Sequence, residues 1–144
     1  MTAIEFRTTT LDWHDINVGD ELTPLEIPVT ATVIVAGAIA SRDFMPVHHD
    51  PEFAKKQGSP NMFMNILTTN GLVEKFVADW AGHDAELKGI AIRLGAPAHP
   101  YDTLTFSGRV ESVEDGIATI DVVGRVSLGD HVTGTVRVAQ GATA

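Results

Sequence analysis

The stretch NILTTNGLVEKFVADW, residues 65–80, carries Ile66, Val73, Val77 and Trp80 near one helical face with Leu72 and Phe76 alongside, and its only charges are Glu74, Lys75 and Asp79. That spacing predicts an amphipathic helix, and so sparse a charge set predicts that the helix is covered on most sides. Gly71 inside it, where glycine costs about 1 kcal/mol, predicts close approach by another element. After Gly82 the pattern turns strand-like at residues 88–96, 102–113, 117–128 and 131–139. EDG at 114–116 and LGD at 128–130 read as hairpin turns joining the last three strands into an antiparallel meander. On the other side of the helix, TATVIVAGAI (30–39) is β-branched, alternates through Thr30, Thr32 and Ile34, and reads as a strand buried on at least one face. DPEFAKKQG (50–58) reads as a short helix with Asp50 as N-cap, Pro51 in the first position, Glu52 in the first turn, Lys55 and Lys56 in the last turn and Gly58 beyond. Residues 1–28 form an irregular lead-in with a turn at Gly19 and Asp20 before an edge segment, and the tail 140–144 is expected to fray. Strand, short helix, long apolar helix, then four strands is an α+β order in which the sheet's concave face covers the long helix.

With 144 residues the chain matches one domain, 1–144, of a size that buries about two thirds of its unfolded surface. Ten Lys plus Arg against nineteen Asp plus Glu give a net charge of −9, which disfavours a nucleic-acid groove because phosphates need clustered positive charge. There is no cysteine, hence no disulfide framework, no thiolate nucleophile and no Cys-type zinc site. Apolar runs such as 33–39 are far too short to span a membrane, and the first residues, MTAIEFRTTTLDWHD, lack an apolar signal core. The expected location is the cytoplasm.

Chemistry gathers at RDFMPVHHD, residues 42–50. Asp43 and His48, five positions apart in a turn between a strand and a helix, can face one pocket and hold a water between carboxylate and imidazole. Apolar Phe44, Met45 and Val47 would lower the local dielectric, raising the carboxylate pKa and lowering that of the imidazole. The competing reading makes Asp43 a turn cap and His48 a packing residue, and spacing leaves both open. His49 is expected to face away, Asp50 is used as the N-cap, and a metal site from His48, His49 and Asp50 lacks ligands that converge. His14, His83, His99 and His131 lie near turns or strand ends and are expected to face solvent. At the start of the long helix, Asn65 and Ile66 offer backbone amides that could polarise a carbonyl oxygen, unless water or Asn65 itself caps them. Met62, Phe63 and Met64 read as core, and Lys55, Lys56 and Arg93 as solvated charges. No GxSxG elbow, P-loop, Rossmann glycine pattern or HExxH is present.

DFMPVHHDPEFAKKQG (43–58) resembles the hydratase motif of MaoC-like enoyl-CoA hydratases, in which an Asp and a His flank an Asn-Pro-apolar stretch before a short helix ending in glycine. IRLGAPAHPYDTLTFSGRV (92–110) resembles the same family's strand-turn-strand, with Pro97, Pro100, Asp102 and Leu104 in place, so the likeness spans about residues 30–138. The resemblance implies a hot-dog fold, an antiparallel sheet wrapped around a long central helix. It implies Asp43 and His48 as the catalytic pair, with Asn65 and the Ile66 backbone amide on the substrate's oxyanion side. It also implies hydration of a trans-2-enoyl-CoA without a cofactor, CoA being part of the substrate. Within the family the chain is most similar to the small MaoC-like subunit of actinobacterial steroid enoyl-CoA hydratases, through DWAG, RLG and LGDHVT among others. That subgroup implies a second MaoC-like subunit as partner, in a heterodimer or heterotetramer, with a homodimer the simpler assembly. On the same fold, an acyl-CoA thioesterase and a non-catalytic subunit shaping a partner's site are the alternatives. Two positions depart from the pattern: Met45 stands where the family has Asn, and Asn65-Ile66 where it has His-Gly.

Overall fold

The structure is a computed structural model that describes residues 11–82 and 84–141. In chain order its elements are β1 (Glu21–Val29), α1 (Ala31–Ala40), α2 (Pro51–Lys56), α3 (Ile66–Ala81), β2 (Ala85–Leu94), β3 (Asp102–Glu114), β4 (Ile117–Val126) and β5 (Gly129–Gln140). The strands form one antiparallel sheet in the order β1-β3-β4-β5-β2. The expected α+β hot-dog architecture is present, with α3 against the sheet.

Helix α3 starts where the Asn65 side chain accepts the Thr68 amide and stops at Gly82, whose φ of 94° few other residues tolerate. Thr69, Val73, Phe76, Val77 and Ala81 are its buried residues, a helical stripe that meets the alternating inward positions of β3, β4 and β5. Phe76 stacks on Phe106 with ring centroids 5.6 Å apart, and Gly108 makes room, since a Cβ there would sit 2.9 Å from the Phe76 ring. Truncating Phe76 to alanine would cost about 3–5 kcal/mol. The opposite face is not covered by this chain: Ile66 and Leu67 are 49% and 52% exposed.

The hairpin between β3 and β4 turns on Asp115 and Gly116, φ 52° and 75°, the left-handed pair that a two-residue turn matched to strand twist requires. The β4–β5 turn is at Ser127 and Leu128, one residue earlier than the LGD reading places it. Helix α2 is capped as expected: Asp50 accepts from the Glu52 and Phe53 amides, with Pro51 in the first turn.

Three expectations are corrected. Residues 30–39 are helical, not a strand. Thr30 accepts the Val33 amide as an N-cap, and Ile34 and Ala38, one turn apart, are the buried residues, so a helix buries what a strand would have split between two faces. Much of the lead-in read as irregular is the regular strand β1, lying at a sheet edge as expected after the Gly19-Asp20 turn and paired with β3 in a register that slips between Leu22 and Leu25, around Pro24. The close helix contact lies at Gly37 rather than Gly71: a Cβ on Gly37 would collide with the Thr68 side chain, whereas Gly71 has nothing within 4 Å. Residues 1–10 and 142–144, and the expectations placed on them, lie outside the described residues. Among the described residues, no helix is long and apolar enough to cross a membrane.

Candidate active site

Helix α1 ends in a Schellman motif: the Arg42 amide bonds to Ile39 O and the Asp43 amide to Ala38 O, with Arg42 in the left-handed region at φ 57°. A non-glycine residue there stores strain, and the result is a sharp exit that aims Asp43 at the start of α3. A single 3-10 turn, Pro46–His48, then brings His48 back toward Asp43. Nε2 of His48 lies 3.3 Å from Oδ2 of Asp43, His48 being buried and the Asp43 side chain 28% exposed. The pairing that their spacing left open and the family resemblance implied is therefore present.

The other ring nitrogen defines the chemistry. His48 Nδ1 is 2.7 Å from the Phe63 carbonyl, which only accepts, so Nδ1 carries a proton. Phe63 also packs its ring edge-on against His48, centroids 5.1 Å apart. In the neutral ring, Nε2 then presents a lone pair to a carboxylate oxygen. In the charged ring Nε2–H would donate to Oδ2 directly; beside the neutral ring, one water molecule can donate to both acceptors.

Asp43 Oδ2 also accepts from Asn65 Nδ2 at 3.1 Å, and Oδ1 accepts from the Met45 amide at 3.3 Å. The Asn65 hydrogen bond is the main reason that the Asp43 carboxyl is held below the usual carboxylate range, with the Met45 amide and the charge of His48 adding to it and partial burial opposing it. This corrects the expectation of a raised carboxylate pKa. Of the apolar neighbours invoked for it, Phe44 and Met45 are 66% and 50% exposed and Val47 is part-buried, so they do not enclose the carboxylate within this chain.

Asn65 is 1% exposed and its amide is fully used: Nδ2 donates to Asp43 and, at 2.9 Å, to Ser41 Oγ, while Oδ1 accepts the Thr68 amide at 3.0 Å. The Ile66 and Leu67 amides precede the first intrahelical bond, Thr69 N to Asn65 O, at the positive end of α3. Ser41 and the Phe63 carbonyl are site components that the sequence reading missed; Ser41 had only its position two residues before Asp43 as a signal, and a carbonyl has none.

His49 is exposed, as expected, and Asp50 is spent on α2. His14 is exposed, while His83 is outside the described residues. His99 is part-buried, with Nδ1 on the Met62 carbonyl at 2.9 Å. His131 is 1% exposed, contrary to expectation, held between Thr69 Oγ1 at 2.8 Å and the Ala96 carbonyl at 2.7 Å. The β4–β5 register slips between Gly124 and Arg125, so Asp130 and Val132 pair with adjacent residues of β4 and His131 is the extra residue of a bulge that turns it inward. Burial holds its pKa below the ordinary histidine value, against the raising effect of the Ala96 bond.

A hot-dog sheet thus lies over one long helix, with a carboxylate and an imidazole paired at that helix's start. The MaoC-like domain model matches residues 15–132, and the chain belongs to that family. It is 52% identical over 122 residues, 85% of this chain and 95% of the relative, to the 3-oxo-4,17-pregnadiene-20-carboxyl-CoA hydratase beta subunit of Mycobacterium tuberculosis (strain ATCC 25618 / H37Rv). The crystal structure of the ChsH1-ChsH2 complex from Mycobacterium tuberculosis superposes with a TM-score of 0.85 at 52% identity, covering 86% of this chain and 98% of the other. The (R)-hydratase from A. caviae involved in PHA biosynthesis shares the fold at 23% identity, with a TM-score of 0.81 over 88% of this chain and 98% of the other.

Proposed function

We propose that this chain is the catalytic subunit of an enoyl-CoA hydratase that adds water across a trans-2-enoyl-CoA to give the 3-hydroxyacyl-CoA. The observation that carries this reading is the pairing of His48 Nε2 with Asp43 Oδ2, 3.3 Å apart at the start of α3. A water donating to both would be deprotonated as its oxygen attacks C3, and the pair would return a proton to C2. Electron density moves onto the thioester oxygen, where the Ile66 amide at the helix start would stabilise the enolate. Conjugation with the thioester already activates C3, so the reaction calls for no cofactor.

The substrate we favour is a steroid side-chain enoyl-CoA, supported by the 52% identity to a pregnadiene-carboxyl-CoA hydratase subunit. A second MaoC-like subunit would complete the pocket. Asp43 is partly open to solvent; exposed Phe44 and Met45 lie between it and His48 in the chain, and exposed Ile66 and Leu67 directly follow Asn65, which holds Asp43, an apolar set suited to a covering surface. We further read residues 1–144 as one domain working in the cytoplasm, in keeping with the cysteine-free composition.

The test is an assay of steroid and fatty enoyl-CoAs with the chain alone and co-expressed with a second MaoC-like subunit. Loss of enoyl absorbance without thiol release is expected, and Asp43→Asn or His48→Ala should each reduce it by about a hundredfold or more while the fold survives. Undiminished hydration in both variants would end this assignment, and release of free CoA thiol would point to a thioesterase.

A further inference from the structure

We propose that Asn65 is a positioning residue for Asp43, its carboxamide joining the start of α3 to the water-handling carboxylate as one hydrogen-bonded unit. The inference rests on the hydratase reading for its kinetic consequence and on geometry for its substance.

The orientation of the amide is fixed by its neighbours. Oδ1 must face the Thr68 N–H at 3.0 Å, so Nδ2 faces Ser41 Oγ at 2.9 Å and Asp43 Oδ2 at 3.1 Å. Ser41 donates its own hydroxyl proton to the Gly37 carbonyl at 2.7 Å, which leaves its lone pairs for Asn65 and gives the chain of bonds one direction. Both Asn65 N–H groups are therefore committed, and neither is free for a substrate oxygen. The oxyanion role falls to the backbone amides of Ile66 and Leu67. Asp43 Oδ2, the oxygen that faces His48 Nε2, is the one Asn65 holds. Asn65 thus sets where that oxygen stands relative to the imidazole, and a donor on it favours the ionised form. His48 is the titratable group facing Asp43 across this contact, and Arg42, exposed, is its neighbour in the chain.

Asn65→Ser and Asn65→Asp separate this role from capping, because each keeps an oxygen for the Thr68 amide and loses both Nδ2 N–H donors, the serine hydroxyl sitting on a side chain one atom shorter than the one that reaches Ser41 and Asp43. In the two-subunit enzyme, kcat is expected to fall by about ten- to a hundredfold with KM little changed, further for Asp than for Ser because of like-charge repulsion. Independently of turnover, the Asp43 carboxyl followed by NMR should titrate at higher pH in both variants, again further in Asn65→Asp. Full kcat with an unmoved Asp43 titration overturns the proposal and leaves Asn65 a cap; so does a loss of kcat with that titration unmoved. Asp43→Asn run alongside keeps the two readings apart: if it retains turnover, the hydratase assignment fails while the titration still decides the positioning role.

Discussion

A histidine whose Nδ1 is committed to a carbonyl can trade protons only through Nε2, and here that atom points at a carboxylate held in its ionised form. The depressed Asp43 pKa has a consequence for stability. A carboxyl whose native pKa lies below its unfolded value contributes stability that is present above about 3.9 and lost as pH falls through the native value. Urea unfolding of wild type and Asp43→Asn is therefore expected to show a difference at about pH 6 that shrinks toward about pH 3. A constant difference would mean that Asp43 titrates normally. At this scale spacing only allowed the pairing of Asp43 with His48 and the family motif singled it out, while the direction of the Asp43 shift was not legible. The partner responsible, Asn65, is 22 residues away, and the chain between them gives no sign of the contact.

At the scale of elements, α2, α3 and the β3–β4 hairpin were legible because their signals are local: Asp50-Pro51, the apolar stripe of 65–80, and Asp115-Gly116. Helix α1 was not. Its Val33, Ile34 and Val35 favour a strand by propensity, and a ten-residue apolar run has no periodicity to decide the matter. What decides it is tertiary: Gly37 lies against Thr68, where a side chain would not fit. Gly37→Ala should therefore destabilise by about 1–3 kcal/mol in urea unfolding, through overpacking. Gly71→Ala, an open mid-helix site, should stabilise the isolated chain by about 0.5–1 kcal/mol. The opposite ranking would show that the α1–α3 contact yields freely.

For the molecule as a whole, buried His131 ties β5 to α3 through Thr69 and to the segment after β2 through Ala96. Its native pKa lies below the unfolded value, so the neutral ring's contribution is complete above about pH 6.5 and declines as pH drops through the native value. The urea midpoint should accordingly fall between about pH 8 and about pH 5, and this part of the slope should vanish in His131→Gln. The open side of α3 belongs to the same scale. Leu67→Asp, at a half-exposed position, should leave the isolated chain folded and weaken co-purification with a second MaoC-like subunit; unchanged co-purification would move the interface elsewhere. Neither feature could be read from the sequence, since His131 owes its inward position to a one-residue bulge and the uncovered face of α3 is a property of the assembled sheet.

The Phe63 carbonyl that anchors His48 also bears on stereochemistry. Because the imidazole is pinned at one end and its free nitrogen lies 3.3 Å from Asp43, an alkene seated beside the pair in the proposed reaction would meet both groups from one side. The oxygen arriving at C3 and the hydrogen arriving at C2 must then come from that same side, a syn addition. Hydration run in deuterium oxide is expected to yield only the syn diastereomer at C2, and the anti diastereomer would contradict the one-sided arrangement.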